Sequence, residues 1–263
     1  QRQPYGYRFI LVLGIMLPLE LFAQAPAPFA LVEWNDDTTS IKAIGRYGIG
    51  SYLDPSLQKT FEDVRNDPSL FELSHNPVPF ATYGQQNLWV QFDFRNNDPA
   101  QKQFFLNAEY GFYDEIEFFL VRENGQVESV LMGDTFPFDQ RLIDTWTFVF
   151  PFELVHGEQV TIYVRATSEE LTLLRLTMHN QASLNGYLYL SYSLASGVSC
   201  AILIMLLYNL GIFISSRDKR YLYFLLYGGA NYMAILSYVG VAFKWLWPDS
   251  PEWHAVSIQV FAS

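Results

Sequence analysis

The sequence predicts a mainly β extracytoplasmic domain, a sandwich of jelly-roll type, followed by transmembrane α-helices. Three observations carry that reading. Between about residues 30 and 185, apolar residues alternate in short segments bounded by turn residues. Two later runs, 193–214 and 221–243, contain no charged residue. Between those runs, an otherwise acidic chain gathers Arg217, Lys219 and Arg220 within four residues.

The N-terminus comes first. Arg2 and Arg8 precede FILVLGIMLPLELF, an apolar core of about fourteen residues interrupted by Pro18 and Glu20, and small residues follow in LFAQAPA. That core is too short and too broken for a membrane span, so residues 1–23 are expected to be an export signal, with cleavage after Ala23 preferred and after Ala25 second. Because the sequence opens with Gln1 and not Met, translation is expected to start upstream. The exported domain is expected over residues 24–186.

Within that domain, NLWVQFDF (87–94) places Leu88, Val90, Phe92 and Phe94 on one face of a strand, and RNNDP ends it with turn residues. Further strands are read at 103–109, 115–121, 126–133, 145–154, 159–167 and 172–179. ENGQ (123–126) and HGEQ (156–159) read as hairpin connections. A helical turn or two is expected near SLQKTFEDVRND, where Leu57, Phe61 and Val64 recur at helical intervals. Alternation along EIEFF makes Glu115 and Glu117 the wet face of a strand, and Arg165 and Arg175 are expected on solvated strand positions or in sheet-face ion pairs.

The run 193–214 spans about 33 Å as a helix, enough to cross a bilayer. The second run, 221–243, returns the chain, and a third helix is expected to begin near 254, so residues 187–263 read as the start of a transmembrane domain. The short link SSRDKR holds the cations and is therefore cytoplasmic, which leaves the β domain outside, where the export signal also puts it. Trp245 and Trp247 suit the outer interface. Gly197 with Ala201, and Gly228 to Ala230, allow close helix packing, and the absence of charge within the two spans counts against a pump or proton-coupled carrier.

Composition excludes several function classes. With 27 acidic against 16 basic side chains, the chain lacks the basic face that nucleic-acid binding needs. The single cysteine, Cys200, permits neither an intramolecular disulfide nor a cysteine-based zinc site. His75, His156, His179 and His254 have no metal-ligand spacing, and no phosphate-cradling loop or nucleophile elbow is present. No catalytic constellation, metal or cofactor is expected.

Asn87 to Asp98, Asp114 to Leu120, Arg141, FVFPFEL and YVRATS, followed by Tyr189, Gly197, LLYNLGIFISSRDKRYLYF and a later YVG with WP, resemble the bacterial seven-transmembrane receptors with diverse intracellular signalling modules, the 7TM-DISM receptors. The resemblance runs from about Tyr52 to Pro248, and YN…RD…YLYF is its most specific part. It implies that the N-terminal portion is the second type of extracellular domain, a jelly roll similar to carbohydrate-binding modules. It also implies seven helices and a cytoplasmic output module such as a diguanylate cyclase or histidine kinase. Because the sequence ends at Ser263, early in a third helix, it looks like the sensory front end of a longer protein in a bacterial inner membrane, with the domain periplasmic. The expected partners are a small-molecule or carbohydrate ligand, the lipid bilayer and, through the full-length receptor, a homodimer mate.

A sugar-like ligand needs a flat aromatic against its apolar face and Arg, Asp, Asn or Gln groups for its hydroxyls. AEYGFYDE supplies Tyr110, Phe112, Tyr113, Asp114 and Glu115, with Gly111 interrupting the alternation; FPFDQRLIDTW supplies Phe138, Asp139, Arg141 and Trp146. Tyr110, Tyr113, Asp114, Arg141 and Trp146 are therefore expected to converge on a ligand site. The alternative is that the aromatics are core and Arg141 pairs with a nearby carboxylate. Two other function classes stand beside the receptor: a membrane-anchored glycan-binding module without signalling, and an extracytoplasmic enzyme using scattered carboxylates, which nothing in the sequence marks.

Overall fold

A computed structural model describes residue 29 and residues 31–263 apart from 83, 85, 111 and 170. The expected export signal, residues 1–23, and Gly111 lie outside the described residues. Thirteen strands are described: β1 (Leu31–Trp34), β2 (Ser40–Ile41), β3 (Ile49–Asp54), β4 (Glu72–Ser74), β5 (Phe80–Ala81), β6 (Gln86–Asn96), β7 (Gln103–Ala108), β8 (Glu115–Arg122), β9 (Val127–Met132), β10 (Phe148–Glu153), β11 (Gln159–Ser168), β12 (Thr172–Leu173) and β13 (Leu176–His179). The larger sheet runs β4-β3-β6-β11-β8-β9, with β1 added parallel to the end of β6. The smaller runs β10-β7-β13-β2, and β5 pairs with β12 as a separate ribbon. The chain crosses between the two sheets at β1–β2, β2–β3, β6–β7, β7–β8, β9–β10, β10–β11 and β11–β13, which is the winding of a jelly roll.

Side-chain alternation builds the core. Leu88, Val90, Phe92 and Phe94 of β6, Ile116, Phe118 and Leu120 of β8, and Val160, Ile162 and Val164 of β11 point inward from the larger sheet. They meet Phe104 and Leu106 of β7, Phe148, Phe150 and Phe152 of β10, and Leu176 and Met178 of β13. Each such fully buried side chain stabilises the fold by roughly 1.5–3 kcal/mol relative to exposure.

The opposite face of the larger sheet is also covered. Trp89, Phe119 and Tyr163 pack beneath α1 (Phe61–Asn66), whose Phe61 stacks on Phe119 at 4.1 Å between centroids. A capping box starts this helix at Thr60, whose hydroxyl accepts from the Asp63 N–H while the Asp63 carboxylate accepts from the Thr60 N–H. Leu57 stays outside the helix and is exposed.

Two connections differ from expectation. ENGQ does close a hairpin, β8 to β9, with Gly125 at φ 85°. HGEQ does not: β10 and β11 lie in different sheets, so the turn carries the chain across the sandwich. Buried Asn96 anchors that crossing by donating to the carbonyls of Gln101 (2.8 Å) and Leu154 (3.2 Å), while its own carbonyl accepts from Gly157 N–H (2.7 Å). Likewise the segment read as one strand over 172–179 is two, β12 and β13, parted where Leu174 N–H donates to the Pro79 carbonyl at 2.8 Å.

Helix α2 (Gln181–Ser216) begins one residue after β13, with Asn180 as its cap: the Asn180 carboxamide accepts from Ser183 N–H at 2.8 Å. It starts well before the expected residue 193 because Leu184, Tyr187 and Leu188 cover the outside of the smaller sheet at Phe105 and Val149. Among the described residues, α2 is the helix long and apolar enough to cross a membrane by length and composition. The second apolar run is not a single helix. It divides into α3 (Lys219–Tyr238) and α4 (Val241–Trp245) at Gly240, whose φ of 80° breaks the helical path. Helix α5 (Pro251–Ala262) then packs on α3.

Candidate functional site

The chain segment Gly133–Thr147, between β9 and β10, lies against the ends of α3, α4 and α5. Its geometry starts at Gly133, where an added Cβ would stand 2.1 Å from the Asp114 carbonyl oxygen. Only glycine allows that approach, and it sets Asp134 beside Asp114. The Asp134 N–H donates to the Tyr113 carbonyl (2.8 Å), and Thr135 Oγ1 donates to the Asp114 carbonyl (2.8 Å).

Arg141 fixes the rest of the segment. Its Nη2 donates to Asp134 Oδ1 at 2.6 Å, and its Nη1 donates to the carbonyls of Trp146 (2.7 Å) and Thr145 (3.2 Å). The guanidinium carbon lies 4.1 Å from the Phe148 ring centre and 4.5 Å from that of Phe138. Because Thr145 and Trp146 serve Arg141, strand β10 begins at Phe148 and not at 145. Burial, with the neighbouring Asp114 carboxylate adding to it, pushes the Asp134 carboxyl up to about 7 against the opposing pull of Arg141.

The same segment grips the helices. Phe138 meets Phe243 of α4 edge to face at 5.6 Å, and Phe243 stacks on His254 of α5 at 4.2 Å. Phe138 N–H donates to the Pro248 carbonyl at 2.9 Å. Lys244 Nζ is 2.8 Å from Asp144 Oδ1, the Tyr192 hydroxyl donates to the Asp144 carbonyl, and the Trp146 ring meets Tyr192 at 4.2 Å.

Behind these contacts is a cavity of about 420 Å³. Phe112, Asp114, Asp134, Thr135, Ser168 and Glu169 wall it from the sandwich, and α5 closes it with residues that include Glu252, His254, Ile258 and Gln259. Asp114 Oδ2 accepts from Glu169 N–H at 2.8 Å, which joins two of the wall loops. His254 is 4 % exposed, and its Nδ1 has no hydrogen-bond partner among the described residues. Among the described residues no group of His, Cys, Asp and Glu is placed to hold a metal ion.

The five residues expected to converge do not all reach this cavity. Asp114 lines it. Tyr110 is half-buried near its edge, 5.7 Å from the Phe112 ring and with its hydroxyl 3.4 Å from that of Tyr238. Tyr113 is in the core, fully buried against Phe148, with its hydroxyl donating to the Leu173 carbonyl at 2.7 Å. Arg141 pairs with Asp134, so for these two the alternative reading describes the structure. Trp146 points elsewhere, into a groove with Tyr192, Cys200 and Leu203 of α2. Arg165 bridges Glu115 and Glu117 across the sheet face at 3.2 and 3.1 Å, and Arg175 lies 3.5 Å from Glu109.

Asp134, Thr135, Ser168, Glu169 and the α5 residues escaped sequence reasoning. Gly133-Asp134 at the end of a strand was the one local signal, since a glycine there marks a close backbone approach.

Comparison with known proteins completes the picture. Residues 48–180 match the family described as 7TMR-DISM extracellular 2, and residues 191–263 match the one described as 7TM diverse intracellular signalling. Together the matches cover more than three quarters of the chain. No curated protein matches. Among solved structures, the cumin domain of Drosophila melanogaster CENP-C is similar at 11% identity over 43% of this chain and 80% of its own, with a TM-score of 0.17, too low to bear on fold.

Proposed function

The chain belongs to the family of seven-transmembrane receptors with diverse intracellular signalling modules, and from that premise we propose that it is the sensory front end of a receptor in a bacterial inner membrane, whose periplasmic sandwich binds a small, carbohydrate-like ligand. Family membership makes it a membrane receptor with an extracellular sensory domain; the ligand and the output are the proposal. One observation supports it above the rest: the junction cavity has one wall from the sandwich and the other from α5. A ligand held by both walls favours the arrangement of sandwich and helices in which both contact it. By linkage it shifts that equilibrium as far as its affinities for the two arrangements differ. The ring of Phe112 offers a sugar an apolar face, and Asp114, Thr135, Ser168 and Gln259 offer groups for its hydroxyls. The signal would pass through the helix bundle to a cytoplasmic module of cyclase or kinase type, and this chain itself performs no catalysis.

Hydrogen exchange on the purified chain in nanodiscs, with and without a panel of monosaccharides, tests the reading. Slowed exchange is expected both at 133–135 and along α5. Protection confined to the sandwich would replace the receptor with a membrane-anchored glycan-binding module.

A further inference from the structure

We propose that Trp146 is the residue through which the sandwich acts on the helix bundle: seated at the break between α3 and α4, it ties those helix ends and α2 to the wall of the junction cavity; this rests on the receptor reading above and names how the same site is coupled to the bundle. At the break, Val239 N–H donates to the Ile235 carbonyl at 2.9 Å and Gly240 N–H to that of Ser237 at 3.0 Å, which ends α3, and α4 starts at once with Val241. Gly240 lies between them at φ 80°, and a Cβ there would stand 3.3 Å from Trp146 Cβ. Any side chain at this position would be strained by the backbone and crowded by a residue of the sandwich. The break therefore takes its shape against Trp146.

Trp146 is held from both sides. Its carbonyl accepts from Arg141 Nη1 at 2.7 Å, while Nη2 of the same guanidinium donates to Asp134 Oδ1 at 2.6 Å. A guanidinium is a planar, rigid fork, so two groups bonded to its two ends do not shift independently. Asp134 belongs to the cavity wall. On the other side, the Trp146 ring meets the Tyr192 ring of α2 edge to face at 4.2 Å. One side chain thus touches α2 and the α3–α4 break, and one guanidinium joins it to the cavity.

These contacts reach helices that the cavity does not. Helix α5 closes the cavity directly, whereas none of the described lining residues comes from α2, α3 or α4. A ligand that shifts Asp134 therefore meets α5 at the cavity wall and acts on α2 and the α3–α4 break through Arg141 and Trp146. Coupling needs an element with two arrangements that both sites bias. The glycine break supplies it, because glycine readily populates both signs of φ. Phe138 offers a second route, its ring meeting Phe243 of α4 at 5.6 Å, and substitution separates the two.

Hydrogen exchange on the full chain in nanodiscs, without ligand, tests the coupling through a mutant cycle. Asp134→Asn removes the charge that Arg141 meets and should speed exchange across 238–246 by about fivefold or more, the lower end of ordinary coupling between sites. In Trp146→Ala the same Asp134→Asn change should leave exchange at 238–246 unaltered, although 133–135 still responds. In Trp146→Phe, which keeps an aromatic ring against Tyr192, the response should persist. By reciprocity, Gly240→Ala should speed exchange at 133–135 in the native chain and fail to do so in Trp146→Ala. Should Asp134→Asn not fold, that second arm decides alone. A response that survives Trp146→Ala assigns the coupling to Phe138 and overturns the inference, and so does the absence of a response in a folded single variant. No ligand enters the cycle, so its failure leaves the receptor reading standing, and failure of the monosaccharide panel leaves the outcome of the cycle unchanged.

Discussion

At Arg141 one guanidinium meets a carboxylate, two backbone carbonyls and two aromatic faces, with its side chain 4 % exposed. Removing a partner from such a pair leaves a buried carboxylate without its cation, at a cost of about 3–5 kcal/mol. Arg141→Ala should therefore lower the thermal midpoint of the chain by on the order of 10 °C, using about 2–4 °C per kcal/mol for a chain of this size. Arg141→Lys should not restore it, because a lysine ammonium cannot serve the carboxylate and the carbonyls in the same planar fork. A midpoint unchanged in both variants, followed by circular dichroism in detergent, would remove Arg141 from this role.

His179 tests a second residue-scale claim. It lies in β13, with Nδ1 2.9 Å from Ser183 Oγ and Nε2 3.1 Å from Thr177 Oγ1. Burial, together with Lys42, depresses its pKa to about 4. The unfolded chain, with a histidine near 6.5, takes up its proton first as pH falls. Stability from this group is thus complete above about pH 6.5 and is lost as pH drops toward 4. Thermal midpoints at pH 7.5 and pH 4.5 should differ more in the native chain than in His179→Gln.

At the scale of elements, what could be read from the sequence was whatever local periodicity dictates. β6, β7, β8, β9 and β11 were legible to within a residue or two, because every second side chain enters the core and the turn residues end each run. The start of α2 was not legible. Its first turns mix Asn185, Gly186 and Tyr189 with Leu184 and Leu188, and only the outer face of the smaller sheet explains why the latter are apolar. HGEQ looked like a hairpin because turn chemistry says nothing about which sheet the next strand joins. The cavity was hidden for the same reason. Asp114, Asp134 and Glu252 lie far apart in the chain, and only the seat of α5 against the sandwich brings them to one space. Arg141 did stand out in the sequence, yet its partner, seven residues back, makes it a support of the junction.

At the scale of the whole molecule, one helix fixes the relation between sandwich and membrane. With 36 residues, α2 is about 54 Å long, against a bilayer core of about 30 Å. Its first turns are held on the smaller sheet, so the uncharged remainder must carry Arg217, Lys219 and Arg220 to the far side. Helix α3 brings the chain back, and Lys244 of α4, which follows it after Gly240, pairs with Asp144 of the same sandwich that α2 left. With no flexible linker between β13 and α2, the sandwich and the helix ends are constrained together. A change at the cavity therefore has a short path to the bundle. The orientation this demands can be checked by fusing alkaline phosphatase, active only after export, after Arg217 or after Asp249. The second fusion should be active and the first should not, with a fluorescent protein at the same two positions giving the reverse. Equal phosphatase activity at both positions would mean that α2 does not cross the membrane. The cations would then lie on the same side as the sandwich, and the cavity would have no transmembrane helix to act on.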